Sequence, residues 1–432
     1  MLITCGFSQG KITPNPNTIY LDGYGFRLEH AKEVRDDIYV KVLALKDIDD
    51  KRFCIVSFDF CGFNDEVSEI LKFHISTKSG LDKSQIALTA THTHAGPACG
   101  VLEDVPLNLD YIHNVGEIAG DWVNEAFSNM EDCTFTNSFG EDILFAHNRR
   151  GKDIIDRSVR VGTFINQESK LKGLIARTSC HPVLMSDLRV SADYPSKLTE
   201  EGIKNNACFL FLQGSCGDVN PQVEGNTGDD KVELLGNELS KRVMDVVNNI
   251  RVTNQKREVE FKLSFDYKEV EIPMQPFPPK EEVEENILKT VKEYYSSKDG
   301  MIKHFVLRKL SWYRMILDKI NKGEGSSIKV PLQVLSIKEG ADRVIFTFLP
   351  FEVLTKTSLM IQDKLERLGL KKENIYVIGH SNSVFGYLIP EEEIEGNNYE
   401  YTDAPTWYNT ALFSKDSEPY VLGELMKIVE GI

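Results

Sequence analysis

Six apolar runs, each too unbroken for a sheet with one wet face, constrain the fold of this chain more than any other feature. They are FCIVSFDF (53–60), IALTAT (86–91), KGLIART (172–178), CFLFLQG (208–214), VIFTFLP (344–350) and IYVIGH (375–380). A strand covered on one face alternates apolar and polar residues, whereas one covered on both reads as a continuous run. Between the runs, the stretches 110–130, 231–250 and 353–370 carry apolar residues at helical spacing; in the second, Val232, Leu235, Leu239, Val243, Val246 and Ile250 line one face. Buried strands alternating with such helices predict an α/β chain, with a central mixed β-sheet core flanked by helices.

At 432 residues the chain is long enough for two domains, or for one large domain with insertions. No repeat, low-complexity tract or flexible linker divides it. The segment 258–329 departs from the pattern: alternating strand residues, a Pro-rich turn (PMQPFPPKEE), then a charged helical region around 287–320. VPLQVLSI (330–337) and RVIFTFLP (343–350) then read as a strand pair around a turn at KEGAD. The expectation is one domain over 1–432, with 258–329 as an excursion that rejoins the sheet.

Fifty basic against sixty-six acidic residues leave a formal charge of −16. Such a surface repels phosphate backbones and anionic headgroups, which argues against nucleic acid and an electrostatic membrane anchor. No apolar run approaches the roughly 18 residues of a membrane helix. The N-terminus lacks a basic segment followed by an apolar stretch, so no export signal is read. Eight cysteines without CxxC or dense spacing fit reduced thiols in a cytoplasm. Cys5, Cys54, Cys61, Cys133 and Cys208 read as core residues, and Cys99, Cys180 and Cys216 as packing beside more reactive neighbours.

The runs are followed by side chains that bind metal or move protons. His92 and His94 follow the second, His181 the third, Asp218 the fourth and Glu352 the fifth, and the sixth leads into His380 and Tyr387. Loops at the carboxyl ends of strands are where α/β sheets build sites. In extended backbone, residues two apart point the same way, so His92 and His94 can share a pocket. Either one binds a metal while the other acts on substrate, or both bind. The ordinary alternative is two polar strand-end residues bonded to water, but the small turn Ala95, Gly96, Pro97 favours close approach by other groups. His181 precedes Pro182, which holds it extended. Glu352, directly behind an apolar strand, must be paired, metal-bound or at a helix N-terminus. Two imidazoles and one carboxylate are the usual protein ligands of a hydrolytic zinc. Asp218 either orients an imidazole or caps a turn, and Asp59 is a candidate support beneath the site.

GYGF (23–26), THTHAGP (91–97), NRR (148–150), CHPVLM (180–185), ADYP (192–195), GDVNP (217–221), PFE (350–352) and the Y…PEEE…YE stretch (387–400) together resemble the neutral/alkaline, non-lysosomal ceramidase family. They occur in the family's order across nearly the whole chain. The resemblance implies one zinc ion held by His92, His181, Glu352 and Tyr387. It further implies that His94 transfers protons and that Arg149 and Tyr399 contact the substrate amide. Zinc activates a water for hydrolysis of an N-acyl amide bond in this reading, which belongs to lipid and specifically sphingolipid metabolism. The substrate would be a small N-acyl amide or lipid.

Two departures bear on activity. The family's catalytic serine in GDVSPN is Asn220 here, which donates hydrogen bonds but cannot act as a nucleophile. Phe351 replaces the glycine before Glu352. The family's secretion signal and C-terminal immunoglobulin-like domain are not recognised, which argues against ceramide met outside the cell. Two alternatives remain: a non-catalytic relative that keeps zinc and a lipid- or peptide-binding pocket, and an amidohydrolase-type metal enzyme, which would need a barrel of eight βα units.

Overall fold

Strands with two apolar faces need cover on both, and the chain supplies it in four layers: helices, an eight-stranded sheet, a four-stranded sheet, helices. The computed structural model describes residues 1–432 except 141, 143, 144, 251–260 and 395–397. The large sheet runs Cys208–Gln213, Leu171–Thr178, Val159–Asn166, Glu131–Gly140, Leu2–Lys11, Tyr39–Lys46, Arg52–Phe58, Ile86–Ala90. Its two outermost pairs are parallel and the inner ones antiparallel. The second sheet runs Lys262–Ile272, Ile328–Glu339, Asp342–Phe348, Ile375–Ile378, with only its last pair parallel.

Side-chain alternation divides each strand between two cores. In Tyr39–Lys46, Leu43 and Leu45 belong to the core between the sheets, with Phe346, Phe348 and Tyr376 of the second sheet. Val40, Val42 and Ala44 instead pack with Val67, Leu71, Val115 and Ala119 of helices Asp65–Ser79 and Leu109–Ser128. Helix Gly228–Asn249 covers Val161, Ala176 and Phe211 through Leu235, Leu239 and Val243, the face expected from its spacing. Helices Thr355–Arg367 and Ser417–Gly431 cover the outer face of the second sheet. Truncating a wholly buried Phe346 to Ala would cost about 3–5 kcal/mol.

The central mixed sheet and its flanking helices are as expected. The strands at 262–272 and 328–348, however, do not rejoin that sheet but build a second one against it. The turn at KEGAD is present, with Glu339 paired to Asp342 around Gly340 at positive φ. The beginning of the strand expected from Glu258 falls outside the described residues. All eight cysteines are buried and unpaired. Among the described residues, no helix is long and apolar enough to cross a membrane.

One consequence of this layering positions the loops. Strands from both sheets end at the same place and are stitched together there. Gly379 N donates to Gln213 O (3.0 Å), Gly214 N to Thr178 O (2.8 Å) and Ala90 N to His380 O (3.1 Å). The buried Gln213 side chain also donates to Cys180 O (2.9 Å) and Thr91 O (3.4 Å). The loops after Ala90, Thr178, Gln213, Phe348 and Ile378 therefore form one cluster.

Candidate metal centre

Three of the strand-end residues meet at a single atom. His181 Nε2 lies 3.1 Å and His92 Nε2 3.6 Å from Glu352 Oε2. All three side chains are at most 3% exposed. His94 Nε2 is 3.3 Å from His92 Nε2 and sits at the less buried side of the group. The two histidines share a pocket as expected, but not through extended backbone: His92 has φ 66°, a left-handed turn held by its N–H on Phe60 O (2.9 Å).

The second nitrogen of each imidazole fixes its tautomer. His92 Nδ1 faces Cys61 O at 2.6 Å and His181 Nδ1 faces Val219 O at 3.1 Å. A carbonyl only accepts, so both Nδ1 atoms carry hydrogen and in the neutral rings both Nε2 atoms present lone pairs. Those lone pairs face a carboxylate oxygen. Such an arrangement is repulsive unless the rings gain protons or a cation stands among the three atoms. Burial by itself would raise the Glu352 carboxyl, but the imidazoles of His92 and His181 outweigh it and hold the group well below the usual range. Burial, then the neighbouring His92 and His181, push His94 well below its ordinary value. These donors fit a divalent cation: two imidazole nitrogens and a carboxylate oxygen, each imidazole oriented by a carbonyl behind it.

The remaining expected residues lie around this group at different removes. Glu352 and Tyr387 are register partners in the short parallel pair Glu352–Val353 and Tyr387–Leu388, so Tyr387 stands beside the carboxylate. Burial first, and then the Glu352 charge, push its phenol up. Arg149 lies over the rings of Tyr387 (5.5 Å) and Tyr399 (5.6 Å), hydrogen-bonds Tyr387, and is held by Glu400 at 2.9 Å. Tyr399 is 45% exposed, at the mouth. Asn220 adjoins Val219, the residue that orients His181, and its buried Oδ1 has no hydrogen-bond partner.

Asp218 touches no imidazole. Its Oδ1 accepts from Thr355 N and Thr355 Oγ1 (both 2.8 Å), capping the helix that follows Glu352, and its Oδ2 accepts from Asn148 Nδ2 (2.8 Å). Asp218 O also takes Arg149 N (2.9 Å), so one residue ties the Arg149 loop to the Glu352 loop. Asp59 is not a support of the centre: it pairs with buried Lys41 at 3.1 Å and accepts from Tyr39 N. The other motifs brace loops. Asp193 of ADYP accepts from Leu184 N (2.7 Å), Met185 N (2.9 Å) and Tyr194 N (2.7 Å), and Tyr194 donates to Cys180 O (2.7 Å). The glycines of GYGF permit close approach: a Cβ on Gly23 would lie 2.4 Å from His94 Cγ, and one on Gly25 1.9 Å from the Trp407 ring.

Two residues of the centre carried no assigned role in the sequence. Tyr408 donates a hydrogen bond to Glu352 Oε1. No motif marks it, because it arrives from a separate loop. His380 stacks on His92, with ring centroids 3.8 Å apart. Its position after an apolar run was visible, but its direction was not.

No family model matches this sequence, nor does any curated protein. Among solved structures, the chain superposes on neutral ceramidase from Pseudomonas aeruginosa with a TM-score of 0.74 at 16% identity, covering 98% of this chain and 73% of that one. A ceramidase complexed with C2 matches with a TM-score of 0.74 at 14% identity, covering 98% of this chain and 74% of that one. At such identity the likeness is one of fold: the layered sheets and helices described above are those of the ceramidase fold.

Proposed function

We propose that the chain is a metal-dependent, ceramidase-like hydrolase of an N-acyl amide bond. The observation that carries this reading is the pair of carbonyl-oriented imidazoles, His92 and His181, whose Nε2 atoms face Glu352 Oε2 at 3.6 and 3.1 Å. Tyr387 is the fourth ligand in this reading, and the ion is a single zinc. A bound zinc lowers the pKa of a water toward about 7 and polarises a carbonyl.

The chain's own residues supply the rest. His94, beside the ligands and with Nδ1 free of a partner, takes a proton from the attacking water and returns it to the leaving nitrogen. Arg149, locked by Glu400, and Tyr399 donate to the substrate carbonyl, where fixed donors stabilise developing negative charge by several kcal/mol. Asn220 hydrogen-bonds the amide in place of a serine; a water rather than a side chain is the nucleophile, so a hydroxyl at this position is not required.

A cavity of about 690 Å³ is lined by Tyr399 with Phe305, Val306, Trp312, Trp407 and Leu412, and by the charged Arg308 and Asp403. Apolar walls that reach Tyr399 suit the hydrocarbon part of an N-acyl lipid. Buried, unpaired cysteines fit a reducing cytoplasm. The amidohydrolase alternative needs a βα barrel, and two stacked sheets are not one.

The test is turnover of a panel of N-acyl amides of varied chain length, with and without chelator. Chelator-sensitive release of the amine is expected. Bound metal with no turnover on any member would leave the non-catalytic binder as the better reading.

A further inference from the structure

His380 is wholly buried, yet neither of its ring nitrogens has a hydrogen-bond partner. An imidazole buried this way has given up its bonds to water without replacing them. Its backbone adds strain, with φ 50°, in the left-handed region that a β-carbon disfavours. An apolar side chain would fill the same space without the unsatisfied nitrogens. The main chain is pinned between two strand ends: His380 N donates to Phe351 O (3.0 Å) and His380 O accepts from Ala90 N (3.1 Å). From there the ring lies nearly parallel to His92, at 29° and 3.8 Å between centroids. One ring nitrogen of His380, one of His92 and a Glu352 oxygen all lie within 4.8 Å of one another.

A buried base with two unpartnered nitrogens, one of them within 4.8 Å of a carboxylate oxygen and of a nitrogen of a second imidazole, lacks one component, and that component is positive. We propose that His380 is a further ligand of the cation faced by His92, His181 and Glu352, so that three imidazoles rather than two bind it. The proposal rests on the metal reading of the centre above. It also sharpens that reading: a nitrogen-rich set with more than four donors suits iron, cobalt or nickel as well as zinc.

The deciding experiment counts imidazoles on the metal in the intact protein. X-ray absorption of the zinc-loaded and cobalt-loaded chain should give three imidazole scatterers; two would overturn the proposal. Independently, His380→Leu and His380→Asn are titrated against a chromophoric chelator, with folding checked by circular dichroism. Metal affinity is expected to fall at least about tenfold in any variant that folds, with a changed visible spectrum of the cobalt form. Affinity and spectrum equal to wild type would overturn the assignment, and if neither variant folds the scatterer count decides. The two proposals fail separately. A wild-type chain that takes up no divalent ion removes both, whereas three imidazoles on a metal without amide turnover removes only the hydrolase.

Discussion

Asp193 and Glu352 are both buried carboxylates, at most 2% exposed, in neighbouring loops, and they are satisfied by different kinds of donor. Asp193 accepts three backbone N–H groups, which cannot leave, titrate or bind a metal. Among the described residues no backbone N–H donates to the Glu352 carboxylate; its partners are the imidazoles of His92 and His181 and the phenol of Tyr408. A carboxylate closed by main chain is complete, and its function is to hold a loop. One surrounded by titratable side chains, some with unpartnered nitrogens, suits the cation proposed above. The nature of the donors, more than burial or charge, separates scaffold from site.

The largest effect that tests this contrast is expected from Glu352→Gln, which keeps the shape and removes the charge. Bound metal, measured by mass spectrometry after gel filtration, should fall more than roughly 100-fold in affinity, beyond the 10–100-fold typical of residues that merely orient ligands. Asp193→Asn should keep its metal. Equal losses in the two variants would erase the distinction.

Within the centre, His92 and His94 should part company. His92→Ala should lose metal and turnover together. His94→Ala should retain its metal while turnover falls by roughly 10²–10⁴-fold, the usual contribution of a positioned acid–base group. Wild-type metal content in both variants would mean that the ligands are elsewhere. A smaller effect belongs to Tyr408→Phe, which deletes one hydrogen bond to Glu352 Oε1. Metal affinity should drop by roughly 10–100-fold, with turnover at saturating metal much less changed. A Tyr408→Phe protein indistinguishable from wild type in chelator competition would show that the phenol serves packing alone.

The same contrast explains what the sequence made legible. His92, His181 and Glu352 stood out because each follows a run of residues that has to be a buried strand, and strand ends converge where sheets stack. Periodicity likewise exposed the apolar face of the helix Gly228–Asn249. Leu2–Lys11, at the heart of the large sheet, escaped because Thr4, Ser8, Gln9 and two glycines interrupt its apolar pattern. A second sheet was invisible because strand patterns report how many faces are covered, not what covers them. Asp218 could orient an imidazole or cap a turn, and only the fold decides, since both uses need the same carboxylate. Tyr408 and His380 depend on the path of loops, which no local pattern encodes.

The remaining effect is the most specific to the scaffold side. Burial pushes the Asp193 carboxyl up to about 6, against an unfolded value near 4. Between those values the folded chain binds the extra proton, so stability attributable to this group is complete below about pH 4 and declines as pH rises toward 6. At about 1.4 kcal/mol per unit, the decline is on the order of 3 kcal/mol at most. Asparagine cannot titrate, so the difference in urea-unfolding free energy between Asp193→Asn and wild type should change with pH across that interval and stay flat above it. Other titrating groups cancel in the difference. The change should be the same with and without chelator, because the main-chain donors to Asp193 do not touch the centre. A pH-dependent difference that appears only in the metal-loaded protein would mean that Asp193 belongs with Glu352 after all.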